Sequence, residues 1–389
     1  MGSASAMQIN QISRCLSLTL WAAGVILILT PAMLGHPATG IVVDRTGQVY
    51  FSDLETIWKL DADRKLSVFR PGVSGRHVHE LAIDDQDNIY GEDISYEPAT
   101  KKWISDVWMM TPAGALTYLV APTTDPPRAL TIRRDRDGNT YFIDQNNHLK
   151  QRTILFRRTP DGQVTPFAGA AYGHRDGKGT SAQFSSVGSL AFGSDGNLYL
   201  TDGISLRKVT MDGPVTTVAT NLNARTSEDK PVLFEGLYGS LAGLTVTTNG
   251  VAYVADAGNR RLLRISPEGK VDVALRTDPP FFPNGVFATP SGEVYVLEVG
   301  LTLPNLTSGP RVRKLMPDGK NVVLTVVGQE NGQSTGSAAA ERLGLSLESV
   351  LRFFLNTRAR TYGAIGLSFA VITSVVWILR GRWRQQTSK

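Results

Sequence analysis

GSLAFGSDGNLYLTD, Gly188 to Asp202, decides the fold. A small residue opens a short apolar run, Asp195-Gly196 supplies a turn that tolerates positive φ, and a strand centred on Tyr199 ends in an acid. The phrase returns as TGIVVDRTGQVYFSD (Thr39 to Asp53), HELAIDDQDNIYGE (His79 to Glu92), RALTIRRDRDGNTYFID (Arg128 to Asp144), AGLTVTTNGVAYVAD (Ala242 to Asp256) and NGVFATPSGEVYVLE (Asn284 to Glu298). Tyr50, Tyr90, Tyr141, Tyr199, Tyr253 and Tyr295 anchor the copies roughly 40 to 60 residues apart, the spacing of four-stranded blades. A second turn series, Ala113-Gly114, Asp161-Gly162, Asp212-Gly213, Glu268-Gly269 and Asp318-Gly319, joins the third and fourth strands, so each unit is two hairpins in series. The chain is therefore predicted to be all-β, a six-bladed β-propeller in which stacking around an axis provides the core.

A length of 389 residues would ordinarily suggest two or three domains, but one closed ring accounts for most of it. The expected organisation is a signal peptide or signal anchor over 1–35, the propeller over 36–330, a linker and juxtamembrane amphipathic helix over 331–360, a transmembrane helix over 361–380, and a basic cytoplasmic tail over 381–389. Leu16 to Leu34 is apolar and uncharged, follows Arg14, and has no good small-residue cleavage site after it, which favours an uncleaved anchor. Tyr362 to Leu379 is an 18-residue apolar run flanked by Arg358, Arg360, Arg380, Arg382 and Arg384, with Trp377 and Trp383 near its end. The positive flank places the C-terminus in the cytoplasm and the propeller on the extracytoplasmic side. Leu343, Leu347, Val350, Leu351 and Phe354 recur near helical spacing just before it, which predicts a helix lying on the bilayer or under the ring, or a simple extension of the span.

Net charge is +5, but residues 358–389 hold six basic side chains and no acid, and Arg14 adds a seventh, so residues 36–357 are near −2. The basic excess belongs to membrane topology and argues against nucleic acid as a partner. One cysteine, Cys15, excludes an intramolecular disulfide.

Val254-Ala255-Asp256-Ala257-Gly258-Asn259-Arg260-Arg261-Leu262 resembles the signature of NHL-repeat propellers. Asp176 to Phe184, Gly196 to Asp202 and Leu206 to Val209 resemble the same family's blade junction and blade. The resemblance spans about residues 39 to 328 and is densest in blades four and five. Phe282-Pro283-Asn284-Gly285-Val286 is more similar to the gluconolactonase and strictosidine-synthase branch.

Residues that open each innermost strand face the channel, which makes Thr39, His79, Arg128, Gly188, Ala242 and Asn284 a ring, polar along blades six, one, two and three. His79, with His77 and Glu80 beside it, is the candidate base or metal ligand, against a reading as solvated loop histidines. Arg128 is suited either to a carboxylate or phosphate ligand or to pairing with a strand-end acid. The recurring acids Asp53, Glu92, Asp144, Asp202, Asp256 and Glu298 suit loop bracing, with Glu92 and Glu298 reaching furthest into the channel. The gluconolactonase resemblance implies a Ca²⁺ or Zn²⁺ site that would use Asn284 and Glu298, with Glu92 or His79. That resemblance also implies a Glu where Thr39 stands, and an Asp where Gly188 or Ala242 stands. No nucleophile elbow, phosphate loop or paired-cysteine motif is present. Three functions are open at this point: a membrane-tethered module binding a protein, peptide or glycan, a metal-dependent lactonase, and a structural subunit of a membrane complex.

Overall fold

The structure, a computed structural model, describes residues 39–124, 132–143, 152–229, 241–300, 308–327, 329–330 and 333–334. The signal anchor, the juxtamembrane helix, the transmembrane helix, the basic tail, Arg128 and Asp144 lie outside the described residues. Among the described residues no helix is long and apolar enough to cross a membrane.

Six antiparallel sheets, each of four consecutive strands, form the blades. Blade one is β1 (Ile41–Val43), β2 (Val49–Ser52), β3 (Ile57–Leu60) and β4 (Leu66–Arg70). Blade two is β5 (Arg76–Ile83), β6 (Ile89–Glu97), β7 (Lys102–Met110) and β8 (Leu116–Thr123). Blade three is β9 (Ile132–Arg134), β10 (Thr140–Ile143), β11 (Leu155–Arg158) and β12 (Val164–Ala168). A two-residue strand, β13 (Gly177–Lys178), adds to the outer edge of blade four, which is β14 (Val187–Phe192), β15 (Leu198–Asp202), β16 (Ser205–Val209) and β17 (Pro214–Ala219). Blade five is β18 (Leu241–Val246), β19 (Ala252–Asp256), β20 (Arg261–Ile265) and β21 (Val271–Arg276). Blade six is β22 (Phe281–Ala288), β23 (Val294–Gly300), β24 (Ser308–Leu315) and β25 (Asn321–Val326). A short ladder between Gln329–Glu330 and Gln333–Ser334 follows.

The tyrosine anchors explain the inner turns. The hydroxyls of Tyr50, Tyr90, Tyr141 and Tyr199 donate to Asp44 (3.3 Å), Asp84 (2.7 Å), Asp135 (3.2 Å) and Asp195 (3.0 Å). Asp44 accepts the Thr46 and Gln48 amides, and Asp84 and Asp135 accept the matching amides of their own turns. In blades five and six Thr247 and Thr289 replace the aspartate and bind the turn amides of Val251 and Glu293.

Glycine sets how closely the inner strands approach. A β-bulge interrupts the ladder between Val78 and Leu81, between Val187 and Leu190, between Leu241 and Leu244, and between Pro283 and Gly285. At four of the joints the inner strand abuts the backbone of the next blade. A Cβ at Gly188 would lie 2.7 Å from the Leu241 carbonyl, one at Gly243 2.6 Å from the Asn284 carbonyl, and one at Gly40 2.9 Å from the Leu81 amide. At Gly285 it would overlap the Thr39 carbonyl, where blade six closes on blade one.

Between blades lie apolar clusters. Val42, Tyr50 and Ile57 pack on Val78, Ile89 and Trp108 at the joint of blades one and two. Leu155, Phe184 and Leu200 mark the three–four joint, Leu206, Leu241 and Val254 the four–five joint, Leu262, Val286 and Val296 the five–six joint, and Ile41, Phe51 and Leu297 the six–one joint. Among the described residues the joint of blades two and three has no such cluster, and a cleft that mixes Glu80, Glu92 and Arg133 with apolar side chains occupies it.

Gly285→Ala should force blade six from blade one and cost about 1–3 kcal/mol, as overpacking does. The expected readout is a lower urea midpoint with an unchanged slope.

Candidate functional site

The cleft lies between blades two and three, and the end of the ring where the inner strands begin is here called the top. His79 and Glu80 stand in the β5 bulge, Tyr90, Gly91, Glu92 and Ile94 come from β6, Val107 from β7 and Arg133 from β9. The space is about 410 Å³, counting its open mouth. Alternation along the strand sends Tyr90, Glu92 and Ile94 towards blade three, and Gly91 and Asp93 towards blade one. Gly91 is obligatory on that second face because a Cβ there would run into the Trp108 ring.

Glu80 forms an ion pair with Arg133, Oε2 to Nη1, at 2.6 Å. Burial pushes the Glu80 carboxyl up, while Arg133 and the Thr39 hydroxyl pull it down. Thr39 also donates to the His79 carbonyl at 3.1 Å, and that carbonyl accepts the Thr39 and Gly40 amides, at 2.8 and 2.9 Å. The His77 and His79 rings meet edge to face at 5.9 Å. The Arg134 guanidinium lies over the Tyr90 ring, 5.8 Å from its centroid, and ties blade three to blade two from below.

Among the described acids, Glu92 is pushed up further than Asp106, which burial raises to about 6. Burial pushes the Glu92 carboxyl up to about 8, and the nearby charges of Glu80, Asp106 and Asp93 add to the rise, against a hydrogen bond from Ser105. At neutral pH it therefore holds its proton and can both donate and accept a hydrogen bond.

The structure corrects one register. Three residues after the anchor tyrosine stand Asp53, Asp93, Asp202, Asp256 and Glu298, so Asp93, and not Glu92, is the strand-end acid of blade two. These acids are braces. Asp53 accepts the Glu55 and Thr56 amides and the Trp58 indole N–H, at 3.2, 2.8 and 2.7 Å. Asp93 holds Arg70, Arg76 and the Trp108 indole N–H. Asp202 takes the Ser185 and Ser186 amides and Arg207, both partners of that last pair being wholly buried. Asp256 holds Asn259 and Arg261. The stretch quoted for the NHL resemblance has the same task, since Asp176 accepts Arg207 and the Thr217 amide.

Glu298 belongs with the braces. It is fully buried, and Arg311 and Arg313 donate to its two oxygens. Asn284 is also buried, in the blade-six bulge. The residues present at these positions do not fit the Ca²⁺ or Zn²⁺ site expected at Asn284 and Glu298. A carboxylate committed to two guanidiniums offers a cation nothing without breaking an ion pair, and Thr39 stands where a ligand glutamate was needed. Among the described residues no group of three or more His, Cys, Asp or Glu is arranged to hold a metal.

Thus His79, Glu80 and Glu92 line the cleft between blades two and three, Thr39 reaches the His79 carbonyl from blade one, Asn284 lies at another joint, and Glu298 is turned into its own blade. Arg133 was missed by sequence reasoning. Its signal is the position eight before each anchor tyrosine, where the other blades carry Val42, Ala82, Ala191, Thr245 and Phe287. The same alignment shows what else is unusual. Glu92 stands where the others have Ser52, Ile143, Thr201, Ala255 and Leu297, and Glu80 where the described others have Gly40, Ser189, Gly243 and Gly285.

No protein-family model and no curated protein matches the chain. Solved propellers do. A virginiamycin B lyase from Staphylococcus aureus is 15% identical over 77% of this chain and 86% of its own, with a TM-score of 0.45. A gluconolactonase from Xanthomonas campestris is 14% identical over 68% and 84%, with a TM-score of 0.45. A nidogen/laminin complex matches at 16% over 71% and 91%, with a TM-score of 0.47. Identities and TM-scores this low carry no argument, and no residue role passes from these proteins to this chain.

A carboxyl whose pKa is raised on folding favours the folded state below its unfolded value of about 4.5, and that advantage is lost as pH rises towards 8. Glu92→Gln should therefore melt higher than the parent at pH 8.5 and close to it at pH 4.5, with solvent access to Glu92 reducing the gap. Equal melting temperatures for parent and variant across that range would show that Glu92 is ionised in the folded chain.

Proposed function

We propose that this chain is a membrane-tethered, extracytoplasmic β-propeller that binds a protein, peptide or glycan partner through its top face, with the cleft between blades two and three as the recognition point. One observation carries the reading. Glu80, Glu92 and Arg133 each replace a small or apolar residue at its repeat position, and they converge at the one joint where the described residues form no apolar cluster. Burying charge costs stability unless it is paired, so three replacements that meet in an open cleft point to use rather than drift. Membrane tethering rests on the two apolar runs of the sequence, and the extracytoplasmic side on the arginines that flank the second.

A second reading, a hydrolase that uses Glu92 as proton donor, is favoured by the proton that Glu92 keeps near neutral pH. No step in it runs through a metal. Glu92 would protonate the leaving oxygen while a water adds to the carbonyl carbon and gives its proton to Glu80, which Arg133 holds in place.

The two separate in a screen of the purified chain against immobilised glycans and peptides and, in parallel, against lactones and esters, alongside Glu92→Gln and Arg133→Ala. Binding that weakens by about tenfold or more in both variants, the worth of a charge-assisted hydrogen bond, is the expected result. Turnover that falls about 10²- to 10⁴-fold in Glu92→Gln would transfer the cleft to the hydrolase reading. Binding that ignores both substitutions would remove the cleft from either.

A further inference from the structure

Blade two is built differently above the cleft. Its β6 and β7 strands run nine residues each, against four or five for the second and third strands of blades one, three, four and five and seven and eight for those of blade six. The extra length lifts a hairpin above the top face. Tyr96 and Trp103, opposite each other in the ladder, meet edge to face at 5.3 Å and are 46% and 41% exposed. They share a face with Glu92, two register steps above it, with Ile94 and Ser105 between. Pro98, Ala99, Thr100, Lys101 and Lys102 make an exposed tip, and neither lysine has an ion pair among the described residues. The Thr100 hydroxyl donates to Glu97 at 2.5 Å, which turns the one acid of the tip into a brace for the turn.

We propose that this hairpin is a membrane-interface anchor. Its rings and lysines contact the headgroup region of an anionic bilayer and turn the cleft towards it. Three observations argue for lipid as the occupant. Tyrosine and tryptophan have apolar bodies with polar tips and settle at the boundary between acyl chains and water. Lys101 and Lys102 carry the charge that phosphate headgroups attract, with stems long enough to lie along the apolar layer. The chain outside the described residues holds the apolar run Tyr362 to Leu379 between arginines, and the inference rests on the tethering reading of that run. The expected linker over 331–360 spans at most about 100 Å when fully extended, so a tethered propeller stays beside the bilayer. Contact that would be weak between free partners then becomes intramolecular.

The test uses the full chain with Cys15→Ser and a single new cysteine, Ala99→Cys at the tip or Asp63→Cys in a blade-one turn at the bottom, each carrying an environment-sensitive fluorophore. The chain is reconstituted into vesicles of phosphatidylcholine with or without phosphatidylserine. The expected result is blue-shifted emission at position 99, quenched by nitroxide-labelled lipid and stronger with phosphatidylserine. Position 63 should read water throughout, and the signal at 99 should be lost with Trp103→Ser or with Lys101→Glu and Lys102→Glu. Emission at 99 that reads water in a stably inserted chain, or that shifts without lipid quenching, overturns the anchor. A chain that washes off vesicles in alkaline carbonate would fail the tether reading alone. The same chain added to preformed vesicles then decides the hairpin. Co-sedimentation that needs phosphatidylserine and is lost in Trp103→Ser supports it, and absence of co-sedimentation overturns it.

Discussion

Everything in this ring depends on how near six strand backbones can come to one axis. At four joints the inner strands meet through main chain as well as through side chains such as Val42 on Val78. There Gly40, Gly188, Gly243 and Gly285 face a neighbour's carbonyl, amide or backbone at distances that leave no room for a methyl group. The bulges turn the opening residues out of their own ladders, and the glycines let the next blade fill the space. Apolar clusters further out seal the joints only because this contact sets the spacing between blades.

A repeat of this kind makes every position comparable with five others, and function shows as departure from the repeat. Blades four, five and six use their buried acids to grip arginines of the same blade. Blade two uses Asp93 to hold Arg76 of its own first strand and Arg70 of blade one, and then places two further carboxyls on the side of blade three, which brings Arg133 to Glu80. The cleft therefore has a carboxyl paired with a guanidinium, a second carboxyl pushed up by burial, and an apolar floor of Tyr90, Ile94 and Val107. Such a surface can donate, accept and exclude water within a few ångströms, which a joint packed with leucine cannot do.

The fold was legible because turn chemistry and the anchor tyrosines recur in register, and each recurrence has a local cause in the Tyr–Asp hydrogen bonds of the inner turns. The site was legible in part. His79 was visible as an opening residue and Glu80 as its neighbour. Glu92 was named for its length, through a count that ran one residue short, and in a strand one residue is the difference between two faces. Glu298 was misjudged because its arginines lie 13 and 15 residues on, across a longer connection than the five residues that separate Asp202 from Arg207. Arg133 sits within a run of charge that reads as a solvated strand. Its role depends on which blade stands next to it, and that is a property of the closed ring.

Each blade is a complete covalent unit, and among the described residues no strand is lent from one end of the chain to a sheet at the other. Five joints connect neighbours along the chain. The sixth brings Gly285 against Thr39, about 250 residues apart, with no ladder of hydrogen bonds across it. The loop-closure entropy of that contact is repaid late, after the blades between have stacked. A ring so made is an open stack until its last blade exists, and on emerging from a ribosome the first blade keeps its flank of Ile41, Val43 and Phe51 uncovered until then. The hydrophobic surface most exposed to misassembly is therefore at the seam, far in sequence and a third of the ring away from the cleft.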